Sequence, residues 1–117
     1  MLPREKRLSK SKDIRSILKN GKRLTMNGIN MYVARGMGRV GFITTKGFKN
    51  AVSRNKAKRR VRGAFESERL SLDGYDLLFV IRPEVLGLDF EKIKEMIRRL
   101  TRCIKDEDIS VSFDKVL

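Results

Sequence analysis

The stretch from Lys46 to Phe65, KGFKNAVSRNKAKRRVRGAF, constrains this chain more than any other. It holds eight basic residues, Lys46, Lys49, Arg54, Lys56, Lys58, Arg59, Arg60 and Arg62, and no acidic one. Ala57, Val61, Ala64 and Phe65 recur at i, i+4, i+7 and i+8, the spacing of one helical face. That spacing predicts a helix docked on a core through these four positions, with its cations turned outward. A basic tail without structure would lack the spacing. A merely solvated face is the plain alternative, but the lack of balancing acids points to a polyanionic partner.

The rest of the charge agrees. The net charge is +14 over 117 residues, with an isoelectric point near 10.5. Residues 1–62 carry 19 Lys and Arg against two acids, Glu5 and Asp13, whereas residues 63–117 carry 9 against 12. Charge needed only for solubility would be spread evenly. The first half is therefore expected to hold a nucleic-acid-binding surface and the second to be scaffold. An anionic membrane would call for exposed Trp or Phe opposite the cations. There is no Trp, and Phe65 falls on the expected core face. No apolar run approaches the roughly 20 residues of a membrane span. The basic start, MLPREKRLSKSKD, has no apolar segment behind it, so no secretory signal is expected. The lone Cys103 reads as a small core residue, and a reduced, cytoplasmic setting is expected.

The length suits a single domain, residues 1–117, with 1–10 and 106–117 less ordered. Ser11 or Asp13 is expected to cap a first helix to about Lys19, with Ile14, Ile17 and Leu18 on its apolar side. Asn20-Gly21 then ends it, Gly21 suiting a left-handed position. Residues 29–35 and 39–45 read as strands, joined by a hairpin at Gly36-Met37-Gly38. Met31 and Val33 face one side and Tyr32 the other. Tyr32 is either a partly buried sheet residue or a stacking platform for an unpaired base, and the strand pattern alone favours the former. The basic helix should run from Asn50 or Ala51 to Glu68, capped by Asn50 or Ser53. On it Arg54, Lys58 and Arg62 form one ridge, flanked by Asn55, Arg59 and Arg60. A linker, Ser71 to Gly74, leads to an interior strand at Tyr75–Arg82. A third helix spans about Asp89 to Lys105, with Ile93, Met96, Ile97, Leu100 and Ile104 facing the core. Short strands near 22–26 and 109–113 could be added. The fold class is α+β, a sheet covered by helices on one face.

Catalytic chemistry of its own is hard to assemble from this chain. It has no histidine and one cysteine, which leaves no Ser-His, Cys-His or zinc constellation. Consecutive Asp106, Glu107 and Asp108 do not point at one ion and mark a helix end. No metal site is expected within the protein.

The segment Asn50-Ala51-Val52-Ser53-Arg54-Asn55-Lys56-Ala57-Lys58-Arg59-Arg60-Val61-Arg62 resembles the signature helix of the bacterial ribonuclease P protein component, with its pattern N-A-V-x-R-N-x-x-K-R-x-x-R. The likeness extends outward through Arg7-Leu8, Asp13 to Gly21-Lys22-Arg23, Val40-Gly41, Lys46, and the D-x-x-x-x-x-R strand from Asp76 to Arg82. It covers about residues 4–104.

The resemblance implies a two-layer α-β sandwich with a left-handed β-α-β crossover, similar to a ribosomal protein domain. General connectivity rules favour the right-handed form. It implies a non-catalytic subunit of an endoribonuclease whose catalytic RNA removes the 5′ leader of precursor tRNA, using magnesium ions held mainly by that RNA. The implied partners are the catalytic RNA and the leader, with no obligate protein partner and no membrane. By matched position Arg54, Asn55, Lys58, Arg59 and Arg62 face the catalytic RNA, with Lys46 and Lys49 in the approach. Ile14, Leu18 and Tyr32 match a leader-binding cleft, and Tyr32 then becomes a stacking residue. The family commonly has phenylalanine at the first two positions, and Gly47 replaces a common second lysine. A ribosomal-protein-like RNA binder without processing activity is the alternative, and a DNA-compacting basic protein a third.

Overall fold

The computed structural model describes residues 7–68 and 74–106, apart from the side chains of Cys103, Lys105 and Asp106. The strand expected at 109–113, most of the linker from Ser71, Glu107, Asp108 and the surroundings of Cys103 lie outside the described residues. In chain order the elements are α1 (Ser11–Asn20), β1 (Lys22–Met26), β2 (Ile29–Arg35), β3 (Val40–Thr44), α2 (Ala51–Ser67), β4 (Tyr75–Ile81), a 3-10 turn (Pro83–Gly87) and α3 (Phe90–Asp106). The sheet order is β1-β2-β4-β3. β1 and β2 form an antiparallel hairpin, β2 and β4 are antiparallel, and β3 and β4 are parallel, joined through α2.

This order overturns the hairpin expected at Gly36-Met37-Gly38. β2 and β3 are consecutive but not adjacent, because β4 lies between them. Leu77, Leu78, Phe79, Val80 and Ile81 are all buried, so β4 needs cover on both faces and both edges. The turn is held by Asp76 at the start of β4, whose Oδ1 accepts the backbone N–H of Met37 and of Arg39, each at 3.0 Å. The hairpin falls instead at Asn27-Gly28, where Gly28 has φ of 90°. Asn-Gly is a strong two-residue hairpin signal, and the 22–26 segment pairs along its whole length with β2.

The strands' alternation divides the apolar residues between two faces. Leu24, Met31, Val33, Val40, Phe42, Leu77, Phe79 and Ile81 join Ala57, Val61, Ala64 and Phe65 of α2 and Ile93, Met96, Ile97, Leu100 and Ile104 of α3 in the main core. Phe42 and Phe79 stack there, centroids 5.5 Å apart, with Phe65 tilted against Phe79 at 5.5 Å. The opposite face is smaller: Leu8, Ile17, Leu78 and Val80 are buried, with Ile14, Tyr32, Ala34 and Ile43 packed around them. α1 lies on that face, against β2 and β4.

Asn50 Oδ1 accepts the Ser53 N–H at 2.8 Å and caps α2, and Asp89 Oδ1 accepts the Lys92 N–H at 2.7 Å and caps α3. α1 differs from expectation at both ends. Lys10 is its N-cap and, with no side-chain acceptor, caps none of the free N–H groups, while Asp13 turns to Arg39. Gly21 is extended, with φ of −74°, not left-handed. Close approach explains this glycine: a Cβ there would stand 2.6 Å from the Ile17 carbonyl oxygen and 3.1 Å from that of Val33.

Candidate nucleic-acid interface

α2 presents its core residues and its cations on opposite sides. Ala57, Val61, Ala64 and Phe65 are buried, while Arg54, Asn55 and Arg59 are exposed and Lys58 and Arg62 are half-buried. Arg54, Lys58 and Arg59 have no ion pair among the described residues, and the first turn of α2 carries no acid. The helix therefore shows its positive charge unneutralised, and its N-terminal end adds the partial positive charge of free N–H groups. Asn55, Lys58, Arg59 and Arg62 line one groove of about 420 Å³ together with Val52, which is 77% exposed. Arg54 lies outside that groove, and Lys46 and Lys49 are exposed in the segment leading to the helix. Arg60 has a different use: its Nη2 donates to the Leu88 carbonyl at 2.6 Å and ties α2 to the segment before α3.

A second groove, of about 340 Å³, runs beside the first. Leu8, Ile14, Gly41 and Ile43 contribute to its floor, and Lys58 and Arg62 close it on the helix side. Those two cations thus line both grooves. The Arg62 guanidinium lies 5.7 Å from the Phe42 ring centroid, a position that holds it between the two. The floor continues into the cluster around Leu78 and Val80, where Ile14 and Tyr32 both sit. Leu18 is not in that cluster: it is 39% exposed, and Ile17 takes the buried position of α1.

The sequence reading did not single out Arg39, which ties α1 to the sheet. Its Nη2 donates to Asp76 Oδ2 at 2.8 Å and its Nη1 to Asp13 Oδ2 at 3.0 Å. Burial alone would raise the Asp76 carboxyl, but hydrogen bonds from the Arg39 side chain and from the backbone of Arg39 and Met37 outweigh it and hold it below its ordinary value. The same pairing raises Arg39, mainly through its bond to Asp76. An Arg just after a Gly-x-Gly turn, with an Asp at the start of a strand otherwise apolar up to Arg82, was the available signal. Arg82, at the other end of that strand, is structural as well: its Nη2 donates to the Met26 carbonyl at 2.9 Å.

Chemically, this surface can bind phosphates through guanidinium and ammonium groups and can receive unpaired bases on an apolar floor. Among the described residues, no three His, Cys, Asp or Glu side chains come together to hold a metal, and no helix is long and apolar enough to cross a membrane.

Comparison with known proteins gives a consistent result. The family model for Ribonuclease P matches residues 2–105. The ribonuclease P protein component of Chloroflexus aggregans is 39% identical over 104 residues, covering 85% of this chain and 77% of its own. That of Dictyoglomus turgidum is 33% identical, covering 84% and 87%. Among solved structures, the RNase P protein of Thermotoga maritima superposes with a TM-score of 0.72 at 28% identity, covering 84% of this chain and 96% of its own. The Staphylococcus aureus RNase P protein shares the fold, with a TM-score of 0.74 at 23% identity, covering 86% and 95%.

Proposed function

The chain belongs to the ribonuclease P protein family, and from that premise we propose that it binds a catalytic RNA through α2 and the 5′ leader of precursor tRNA through the adjoining cleft. The single observation that carries this reading is that Lys58 and Arg62 line both grooves. One wall of cations then serves two RNA segments that must lie close together, the catalytic centre and the strand leaving it.

In this reading Arg54, Asn55, Lys58, Arg59 and Arg62 grip the catalytic RNA, and Lys46 and Lys49 extend the field along its approach. Arginine can take a phosphate with two parallel hydrogen bonds, while lysine acts as a point charge. Ile14 and Tyr32 flank the leader, with Tyr32 offering a face for stacking, worth about 1–3 kcal/mol per base. The aliphatic Ile14 supplies apolar contact without a ring, so the leader is held less by stacking than a cleft of several aromatics would allow. Leu18, outside the packed cluster, contributes at the exposed side of α1.

Cleavage chemistry is assigned to the RNA. Magnesium ions would be held mainly by RNA phosphates, where they would supply an activated water and stabilise the leaving oxygen. The protein's own residues offer no ligand set for such an ion among the described residues. Their task is to bring phosphates together and to offset their repulsion, which lets the RNA hold its ions at lower concentration. A cytoplasmic place of action accords with this role.

Reconstitution tests the proposal. The chain is mixed with catalytic RNA of its own source and precursor tRNA at magnesium too low for the RNA alone to work well. Cleavage at the mature 5′ end, restored by the protein, is expected. Cleavage no faster than with RNA alone would refute the function.

A further inference from the structure

The cleft face does not stop at Tyr32. Strand registers set two rows of residues across the sheet on the α1 side. One row is Arg23, Tyr32, Leu78 and Gly41, and the next is Thr25, Asn30, Val80 and Ile43. Cross-strand partners share a face, and Leu24 with Met31, one residue along, belongs to the main core on the other side. Arg23, Thr25 and Asn30 therefore lie on the Tyr32 face, on its β1 side.

The two ends of these rows differ in chemistry. Toward β3 the face is apolar until it meets Lys58 and Arg62. Toward β1 it becomes polar. Arg23 is exposed and has no hydrogen bond or ion pair among the described residues. Asn30 Oδ1 is buried without a hydrogen-bond partner, between Thr25 and Val80 in the register. A valine or threonine would suit that strand position better, and an orphaned amide oxygen is costly to retain. The amide can turn about its Cβ–Cγ bond to meet a ligand beside Tyr32. β1 is also the free edge of the sheet, three strand spacings from β3, about 14 Å. Cations thus stand at both ends of a track with an aromatic ring between them.

We infer that Arg23 and Asn30 form a far-end subsite for single-stranded RNA, Arg23 taking a backbone phosphate and Asn30 the edge of the base next to the one on Tyr32. The subsite rests on the cleft reading above and extends it to the β1 edge. It gives the cleft a base preference that stacking, which every base offers, does not. An amide presents one donor side and one acceptor side and so distinguishes base edges.

The test uses the reconstituted holoenzyme and precursor tRNAs whose leaders increase in length one nucleotide at a time. Wild-type affinity is expected to rise with length until the track is filled. Arg23→Gln should match the wild type on short leaders and bind longer ones roughly tenfold more weakly. Its log–log salt slope should be shallower by about 0.7 on the long leaders alone. Asn30→Val should melt at or above the wild-type temperature and lose discrimination among the four bases at one leader position. Loss from Arg23→Gln that is equal at every leader length would place Arg23 on the catalytic RNA and overturn the subsite, as would no loss at all. A lower melting temperature for Asn30→Val with unchanged base preference would make Asn30 structural and remove it from the subsite. A wild type indifferent to leader length would defeat the cleft reading itself, a result distinct from the failure of the two variants.

Discussion

Replacing Asp76 by Asn tests whether the cleft depends on the clamp that holds α1. Asp76 is 6% exposed and accepts from two backbone N–H groups at 3.0 Å and from the Arg39 guanidinium at 2.8 Å. An amide keeps the size but turns one acceptor into a donor, which faces either Arg39 or a backbone N–H. Hydrogen bonds to a charged group contribute about 1.5–3 kcal/mol each, and breaking a buried pair costs about 3–5 kcal/mol. Arg39 keeps Asp13 at 3.0 Å and is partly exposed, so the lower part of that range applies. A loss of about 2–4 kcal/mol is expected, or about 10–20 °C in melting temperature for a domain of this size. The Asp76 carboxyl is held below its ordinary value. Its stabilisation is therefore complete above the unfolded value, near 3.9, and is lost as pH falls through the folded value. The gap between wild type and Asp76→Asn should stay constant from about pH 7 to 5 and close below about pH 4. Thermal denaturation followed by circular dichroism at each pH measures it. A gap under about 2 °C at neutral pH, or one that does not narrow in acid, would refute the clamp. Because Arg39 also holds Asp13 of α1, the variant should lose affinity for leader more than for catalytic RNA.

Two neighbouring arginines on α2 should separate by role. Arg59→Ala is expected to flatten the salt dependence of RNA binding by roughly 0.7–0.9 in slope with no change in melting temperature, since Arg59 is exposed. Arg60→Ala removes the 2.6 Å bond to the Leu88 carbonyl and should cost about 1 kcal/mol of stability while leaving the slope closer to wild type. Gly41→Ala would put a Cβ 2.5 Å from the Leu8 carbonyl oxygen, against a segment whose Leu8 N–H donates to Val40 at 2.8 Å. Displacement of that segment should cost about 1–3 kcal/mol and speed tryptic cleavage after Arg7, and a cleavage rate equal to wild type would count against the contact.

Local chemistry made much of this architecture legible. The i, i+4, i+7, i+8 spacing placed the core face of α2 correctly, and the apolar stripe of α3 is buried throughout. Both caps at Asn50 and Asp89 follow from side chains that satisfy free N–H groups. Long-range pairing was not legible. Nothing within Gly36–Gly38 announces that a strand forty residues later will enter between its neighbours. That outcome is decided by burial of β4 and by the Asp76 carboxylate meeting N–H groups far along the chain. Gly21 shows the same limit, since its extended backbone reflects the approach of Ile17 and Val33 and not a local turn preference. That α2 carries exposed cations could be read from sequence, but that Arg60 is tied down while Arg59 stays exposed could not, because it depends on where Leu88 lies. The placement of Leu18 outside the packed cluster, with Ile17 inside it, likewise follows from how α1 docks.

A photo-crosslink from position 43 tests whether one wall of cations serves both RNAs. Ile43 lies in the groove closed by Lys58 and Arg62 and is half-buried, so a benzoylphenylalanine there reaches whatever enters the groove. In the reconstituted holoenzyme with precursor tRNA, the adduct should fall on the 5′ leader and vanish when the leader is absent. Adding Lys58→Ala and Arg62→Ala should weaken both this adduct and binding of the catalytic RNA. An adduct on the catalytic RNA alone, unchanged by removal of the leader, would show that the leader does not enter this groove.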